Sequence, residues 1–232
     1  MMNIYELNYK KSLKRKKINF FHPAENFLRI FRQHIKKNKM YCLDFGAGDG
    51  RHTEFLLNEK NKVLATDITK YAKLLTKKRI RGFKNFLVFK KEEEYFDGFG
   101  SKKFDLINCW ETIHWISDFK KINRLLELFY KSLKKNGKLI ITFPTEKHYV
   151  VDKNNKVSKF VYKASVTERK GMLICNPPIS NIKKTFKEIG FSIEGIYRYD
   201  HGRIIKSGIQ NELSSANITN KLFSMYAFIL KK

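Results

Sequence analysis

Short, almost unbroken apolar runs recur along this chain between segments of helical periodicity, and that alternation restricts it to few architectures. The runs are Tyr41–Phe45, Lys62–Thr66, Phe86–Phe89, Phe104–Cys109 and Leu139–Phe143. Runs of this kind read as strands buried on both faces. The helical segments are Pro23 to about Lys37, Asp49–Asn58, Thr69–Arg79 and Phe119–Lys134, where Leu125, Leu126, Phe129 and Leu133 mark one face. Asn136-Gly137 reads as the stop signal of the last of these. Strands alternating with helices imply right-handed βαβ units and a mostly parallel sheet.

The periodicity breaks over residues 144–177. There Tyr149-Val150-Val151 and Phe160-Val161-Tyr162 flank turn residues and read as an inserted hairpin. A helix over Ile179–Ile189, stopped by Gly190, and strands over Phe191–Tyr199 and Leu222–Leu230 complete the pattern. Residues 1–22 read as a basic, mobile lead-in. With 232 residues and no repeat or linker, the expectation is a single α/β domain over 1–232.

The segment Leu43-Asp44-Phe45-Gly46-Ala47-Gly48-Asp49-Gly50 carries the chemistry. A strand runs into a glycine-rich turn and then a helix, so the backbone can turn tightly and lie bare toward a ligand. A dinucleotide fingerprint would place its third glycine at position 51, which is Arg51; here it is Gly50, giving D-x-G-x-G-x-G. Asp67 ends the second strand, at the edge where such sheets bind ligands. A carboxylate there can accept two ribose hydroxyls, and it can equally cap the next helix.

Together these residues resemble motif I and the following acidic motif of class I S-adenosylmethionine-dependent methyltransferases. Phe104-Asp105-Leu106-Ile107 with Trp110-Glu111-Thr112-Ile113-His114 is similar to the family's fourth-strand motif. Leu133-Lys134-Lys135-Asn136-Gly137 is similar to its turn before strand five, with Lys135 and Asn136 replacing the usual Pro and Gly. The resemblance spans residues 25–232. It implies a Rossmann-like, doubly wound, seven-stranded, mostly parallel sheet that ends in an antiparallel β-hairpin, with a small β insertion after strand five. It implies S-adenosyl-L-methionine as cofactor. Gly46, Ala47, Gly48 and Gly50 would form its cradle and Asp44 would help hold the methionine ammonium. Asp67 would take the ribose and Ile68 the adenine face. Glu93, beside Glu92 and Glu94, is a candidate for the adenine amino group, and the backbone at Asn108 and Cys109 would border the sulfonium. The N-terminal segment, through Tyr9 and His22, would close over the cofactor.

A methyl acceptor that must lose a proton needs a base. His114, just past strand four, is the candidate; a histidine that only braces its loop is the competing reading. Glu111 and Tyr149 are candidates to line the acceptor site, with Trp110 and His148 beside them. No N-P-P-[YF] tetrad follows strand four, which argues against adenine-N6 or glutamine-N5 methylation.

The formal net charge of +26 leaves two readings open. One is an anionic small acceptor, such as a phosphorylated or nucleotide-linked sugar, methylated on oxygen and recognised by the insertion's Lys153, Lys156, Lys159, Lys163, Arg169 and Lys170. The other is RNA, gripped by the dense run Lys10–Lys17. A non-catalytic cofactor-binding protein is a third alternative. Cys42, Cys109 and Cys175 have no metal-ligand or disulfide spacing. The sequence lacks an apolar span and a signal peptide, so a cytoplasmic protein is expected.

Overall fold

The computed structural model describes residues 4–14, 22–84, 86–88, 103–148, 151, 153–164, 171–200 and 224–232. They form helices α1 (Ile4–Lys14), α2 (Glu25–His34), α3 (Arg51–Asn58), α4 (Lys70–Arg79), α5 (Phe119–Ser132) and α6 (Ile179–Ile189). The strands are β1 (Tyr41–Phe45), β2 (Lys62–Thr66), β3 (Phe86–Val88), β4 (Phe104–Cys109), β5 (Leu133–Pro144), β6 (Lys156–Ser158), β7 (Val161–Lys163), β8 (Leu173–Cys175), β9 (Ser192–Asp200) and β10 (Ser224–Lys231). The main sheet runs β3-β2-β1-β4-β5-β10-β9, and β6-β7-β8 form a second, antiparallel sheet. β1 pairs in parallel with β2 and with β4, and β2 with β3. The order reverses at β1, where the chain returns to its other side through β4. Ligands of doubly wound sheets bind outside the strand ends at such a switch point.

The chain divides into two compact units. One comprises residues 1–110, 128–140 and 231–232, the other residues 111–127 and 141–230. In the first, Cys42, Leu43, Phe45, Val63, Ala65, Leu106 and Ile107 are fully buried, as the continuous apolar runs require. Phe27 packs edge-on against Trp110, their centroids 5.5 Å apart, and Phe45 against Phe129 at 5.0 Å. In the second, Phe186 of α6 packs edge-on against Phe143 of β5 and Phe228 of β10, at 6.2 and 5.2 Å.

Three expectations need correction. Within the lead-in expected over residues 1–22, residues 4–14 form a helix. α5 ends at Ser132, and β5 begins at Leu133 rather than at Leu139. The chain end explains this: Lys232 N–H donates to the Gly137 carbonyl at 3.0 Å, and Asn136 N–H to the Lys232 carbonyl at 3.2 Å. Asn136, with φ at +62°, therefore turns the start of a strand instead of stopping a helix. Lastly, the insertion is a three-stranded sheet in which Leu173–Cys175 supplies an edge and Val151 lies outside it.

Candidate cofactor site

The turn after β1 is held from two sides. Gly46, Gly48 and Gly50 adopt left-handed φ values of 75°, 60° and 85°, a region costly for any residue with a Cβ. A Cβ on Gly50 would stand 3.1 Å from the Cα and Cγ2 of Thr76, so this glycine lets the turn pack on α4. From α4, Thr76 Oγ1 donates to the Gly48 carbonyl at 3.0 Å. Arg79, almost fully buried, forks between Asp49 at 2.9 Å and Glu54 at 2.8 Å.

The amides of the turn find acceptors within the protein. Gly46 and Ala47 N–H both donate to the Thr66 carbonyl, at 2.8 and 2.9 Å, and Gly50 N–H to the Ala47 carbonyl at 2.9 Å. Gly48 N–H donates to Asp67 Oδ2 at 3.0 Å. A buried turn satisfies its own donors first. What the glycines supply is shape.

Asp67 joins the turn to α4, because its Oδ1 accepts Thr69 N–H at 2.9 Å while its Oδ2 holds Gly48. The helix cap itself is Thr69, whose side chain accepts from Ala72 N–H at 3.1 Å. Burial raises the Asp67 pKa against these bonds. Its neighbour Ile68 is 47 % exposed, an apolar side chain left in water at the ligand edge. Tyr9 of α1 reaches the same loop: its hydroxyl lies 2.9 Å from where a Cβ on Gly48 would stand. His22 is exposed, just before α2.

Asp44 is buried rather than open to a cleft. Its Oδ2 accepts from Thr53 Oγ1 and its Oδ1 from Asn108 Nδ2 at 2.8 Å. Burial lifts its pKa to about 6, against the lowering effect of those two bonds. Asn108, fully buried on β4 opposite Asp44, has no hydrogen-bond partner for its Oδ1. Cys109 is buried at the end of the same strand.

Residues that the sequence reading passed over lock the loop in place. Thr76 and Arg79 lie one helical turn apart on α4, a spacing visible in the sequence without any sign of what they would touch. His52 is buried, its Nε2 accepts Ala24 N–H at 3.3 Å, and its ring lies 4.5 Å from that of Phe27. Burial drives its pKa well below 6.5, with Arg51 and Arg79 adding to the shift, so it is a neutral acceptor that ties α2 to α3.

The second unit holds the candidates for acceptor chemistry. Glu111 has φ at +53°, an uncommon conformation for a residue with a side chain. Its N–H donates to Thr142 Oγ1 at 2.7 Å, and its carboxylate accepts from the Tyr199 hydroxyl at 3.4 Å. His114 is buried in a one-turn 3₁₀ helix, its ring 4.8 Å from that of Trp115. His148 is buried, and its N–H donates to the Thr145 carbonyl at 3.1 Å. Tyr149, Glu92, Glu93, Glu94, Arg169, Lys170, Arg15, Lys16 and Lys17 lie outside the described residues.

Residues 15–195 match the family of methyltransferase domains. The chain belongs to this family. It is an S-adenosylmethionine-dependent methyltransferase of the class I, Rossmann-like α/β fold. Among solved structures, the N-methyltransferase NodS from Bradyrhizobium japonicum WM9, in complex with S-adenosyl-L-homocysteine, superposes with a TM-score of 0.64 at 12% identity, over 100% of this chain and 99% of that one. The Burkholderia thailandensis 1,6-didemethyltoxoflavin-N1-methyltransferase gives 0.64 at 14% identity, over 90% and 77%. The [4+2]-cyclase SpnF gives 0.62 at 11% identity, over 89% and 79%. At these identities the likeness is one of fold. No curated protein matches the chain in sequence.

Proposed function

We propose that this methyltransferase, as one functional domain spanning both units, methylates a small polar acceptor. The family match runs through residues of both. When bound, S-adenosylmethionine supplies a methyl group already activated on sulfur. In this reading Asp67 holds the ribose hydroxyls, exposed Ile68 covers the adenine, and Gly46, Ala47 and Gly48 give the cofactor backbone without side chains. Asp44 fixes Asn108 and Thr53 beneath the loop. The observation that carries the reading is Asp67. One carboxylate holds the glycine turn and the start of α4 together, beside Ile68, an apolar side chain that the described residues leave half exposed.

For the acceptor, the proposal is an anionic metabolite methylated on oxygen. Lys153, Lys156, Lys159 and Lys163 are all exposed on or beside β6 and β7, so the insertion offers a cationic surface. A hydroxyl acceptor must lose its proton, and His114 is the proposed base, with Glu111 and Tyr149 as proposed lining residues. Nitrogen methylation is the second reading, favoured by two fold neighbours named as N-methyltransferases. An amine nucleophile that is already neutral needs no base. Incubation with methyl-labelled cofactor and a fractionated metabolite extract, followed by mass spectrometry, tests both. Label in an anionic fraction, on oxygen, supports the first. Label on nitrogen, with turnover unaffected by His114→Ala, replaces it with the second.

A further inference from the structure

α1 and α4 pack against each other and present outward stripes of one composition. Among the described side chains of α1, Leu7, Lys11 and Lys14 are exposed, spaced i, i+4, i+7. On α4 they are Lys70, Leu74, Lys77 and Lys78, and Arg81 extends the row just past the helix. The opposite face of α4, with Ala72, Leu75 and Thr76, is buried. Leu7 is 40 % and Leu74 51 % exposed, and each is followed along its stripe by cations. α4 contains no acidic residue, and none occurs among the outward side chains described on α1.

A polyanion with phosphates suits this charge, and the apolar residues decide which one. Single-stranded nucleic acid seeks aromatic rings on which bases stack. Of the rings described on these helices, Tyr71 already has Lys70 Nζ and Lys10 Nζ at 5.2 and 6.0 Å from its centroid, and Tyr9 turns its hydroxyl toward Gly48. What projects instead is leucine between lysines. Leucine gains nothing from a phosphate backbone, but it gains by entering the headgroup boundary of a bilayer while the flanking lysines meet lipid phosphates. We propose that the α1–α4 face docks the enzyme on an anionic lipid surface. This inference stands on the two helices and does not depend on the acceptor.

The test uses the full chain and vesicles of phosphatidylcholine with or without about one third phosphatidylglycerol. Co-sedimentation should require the anionic lipid and weaken with salt. Leu74→Ser should reduce the partition constant at least threefold. Lys77→Gln with Lys78→Gln should reduce it by about fivefold per charge removed. Lys184→Gln, at an exposed lysine on α6, should leave it unchanged. All the altered side chains are exposed, and unaltered circular dichroism would show that the fold is kept. Three results would overturn the proposal: no difference between the two vesicle types, equal loss in Lys184→Gln, or Leu74→Ser binding vesicles as the native chain does. Preferential binding of a mixed RNA over anionic vesicles, abolished by the double lysine change, would reassign the face to nucleic acid.

Discussion

Replacing Asp44 with Asn should make the protein more stable at neutral pH. In the fold its carboxyl titrates near 6 instead of the usual 3.8, because burial penalises the charge more than Thr53 and Asn108 favour it. A carboxylate whose folded pKa is raised holds its proton more tightly in the native state than in the unfolded chain. Stability therefore falls as pH rises from about 4 to about 6, then stays flat. At 1.36 kcal/mol per pH unit the loss is about 3 kcal/mol. An amide at 44 carries no charge to penalise. With the Asn108 amide turned over, its Oδ1 accepts from the new Nδ2, and its own Nδ2 takes the position that has no partner now, so the number of unpartnered buried atoms is unchanged. Asp44→Asn should thus gain about 3 kcal/mol at pH 7.5 and little at pH 4, or about 6–12 °C in melting temperature for a chain of this size. Urea unfolding of both proteins from pH 4 to 8 measures it. A native-minus-variant difference that is constant with pH, or a variant that is less stable at pH 7.5, would refute the reasoning.

Three further outcomes follow from the same structure. Asp67→Ala should cost about a hundredfold in cofactor affinity and also destabilise the chain by a few kcal/mol, because Gly48 and Thr69 N–H lose their acceptor; titration calorimetry and thermal melting read the two effects separately. Gly50→Ala places a Cβ at φ +85° against the backbone of Thr76. It should cost about 2–5 kcal/mol, seen as a fall in the urea midpoint. Asp105→Asn should weaken the acid limb of stability. Burial opposes the Asp105 charge, but hydrogen bonds from Lys134, Lys37 and Tyr41 N–H outweigh it and bring the pKa down to about 2. Its contribution is present above the usual 3.8 and lost as pH falls toward 2, so the variant and native curves should converge below pH 3.

Much of the first unit could be read from the sequence, because continuous apolar runs can be satisfied in few ways. β1, β2 and β4 lie where that pattern put them. The glycine spacing identified the turn, but not what its amides do. Donors at 46, 47 and 48 go to Thr66 and Asp67, and only three-dimensional proximity shows that. Asp44 illustrates the same limit: that Asn108, from a strand far along the chain, donates to its carboxylate cannot be read from the residues before a glycine turn. β5 was misplaced because its first residues are polar and its pairing partner is the chain terminus. α1 was missed because its lysines fall within a longer basic run, and α4 supplies the surface against which it packs.

The proposed binding site for the methyl donor is the β1 turn, in a fold that also serves a [4+2]-cyclase. Titration of the purified chain with S-adenosylhomocysteine, with NAD and ATP as controls, tests that claim directly. Saturable one-to-one binding of S-adenosylhomocysteine that is lost in Asp67→Ala, with no heat from NAD or ATP, is the predicted result. Silence with the homocysteine product and saturable binding of NAD or ATP would contradict it.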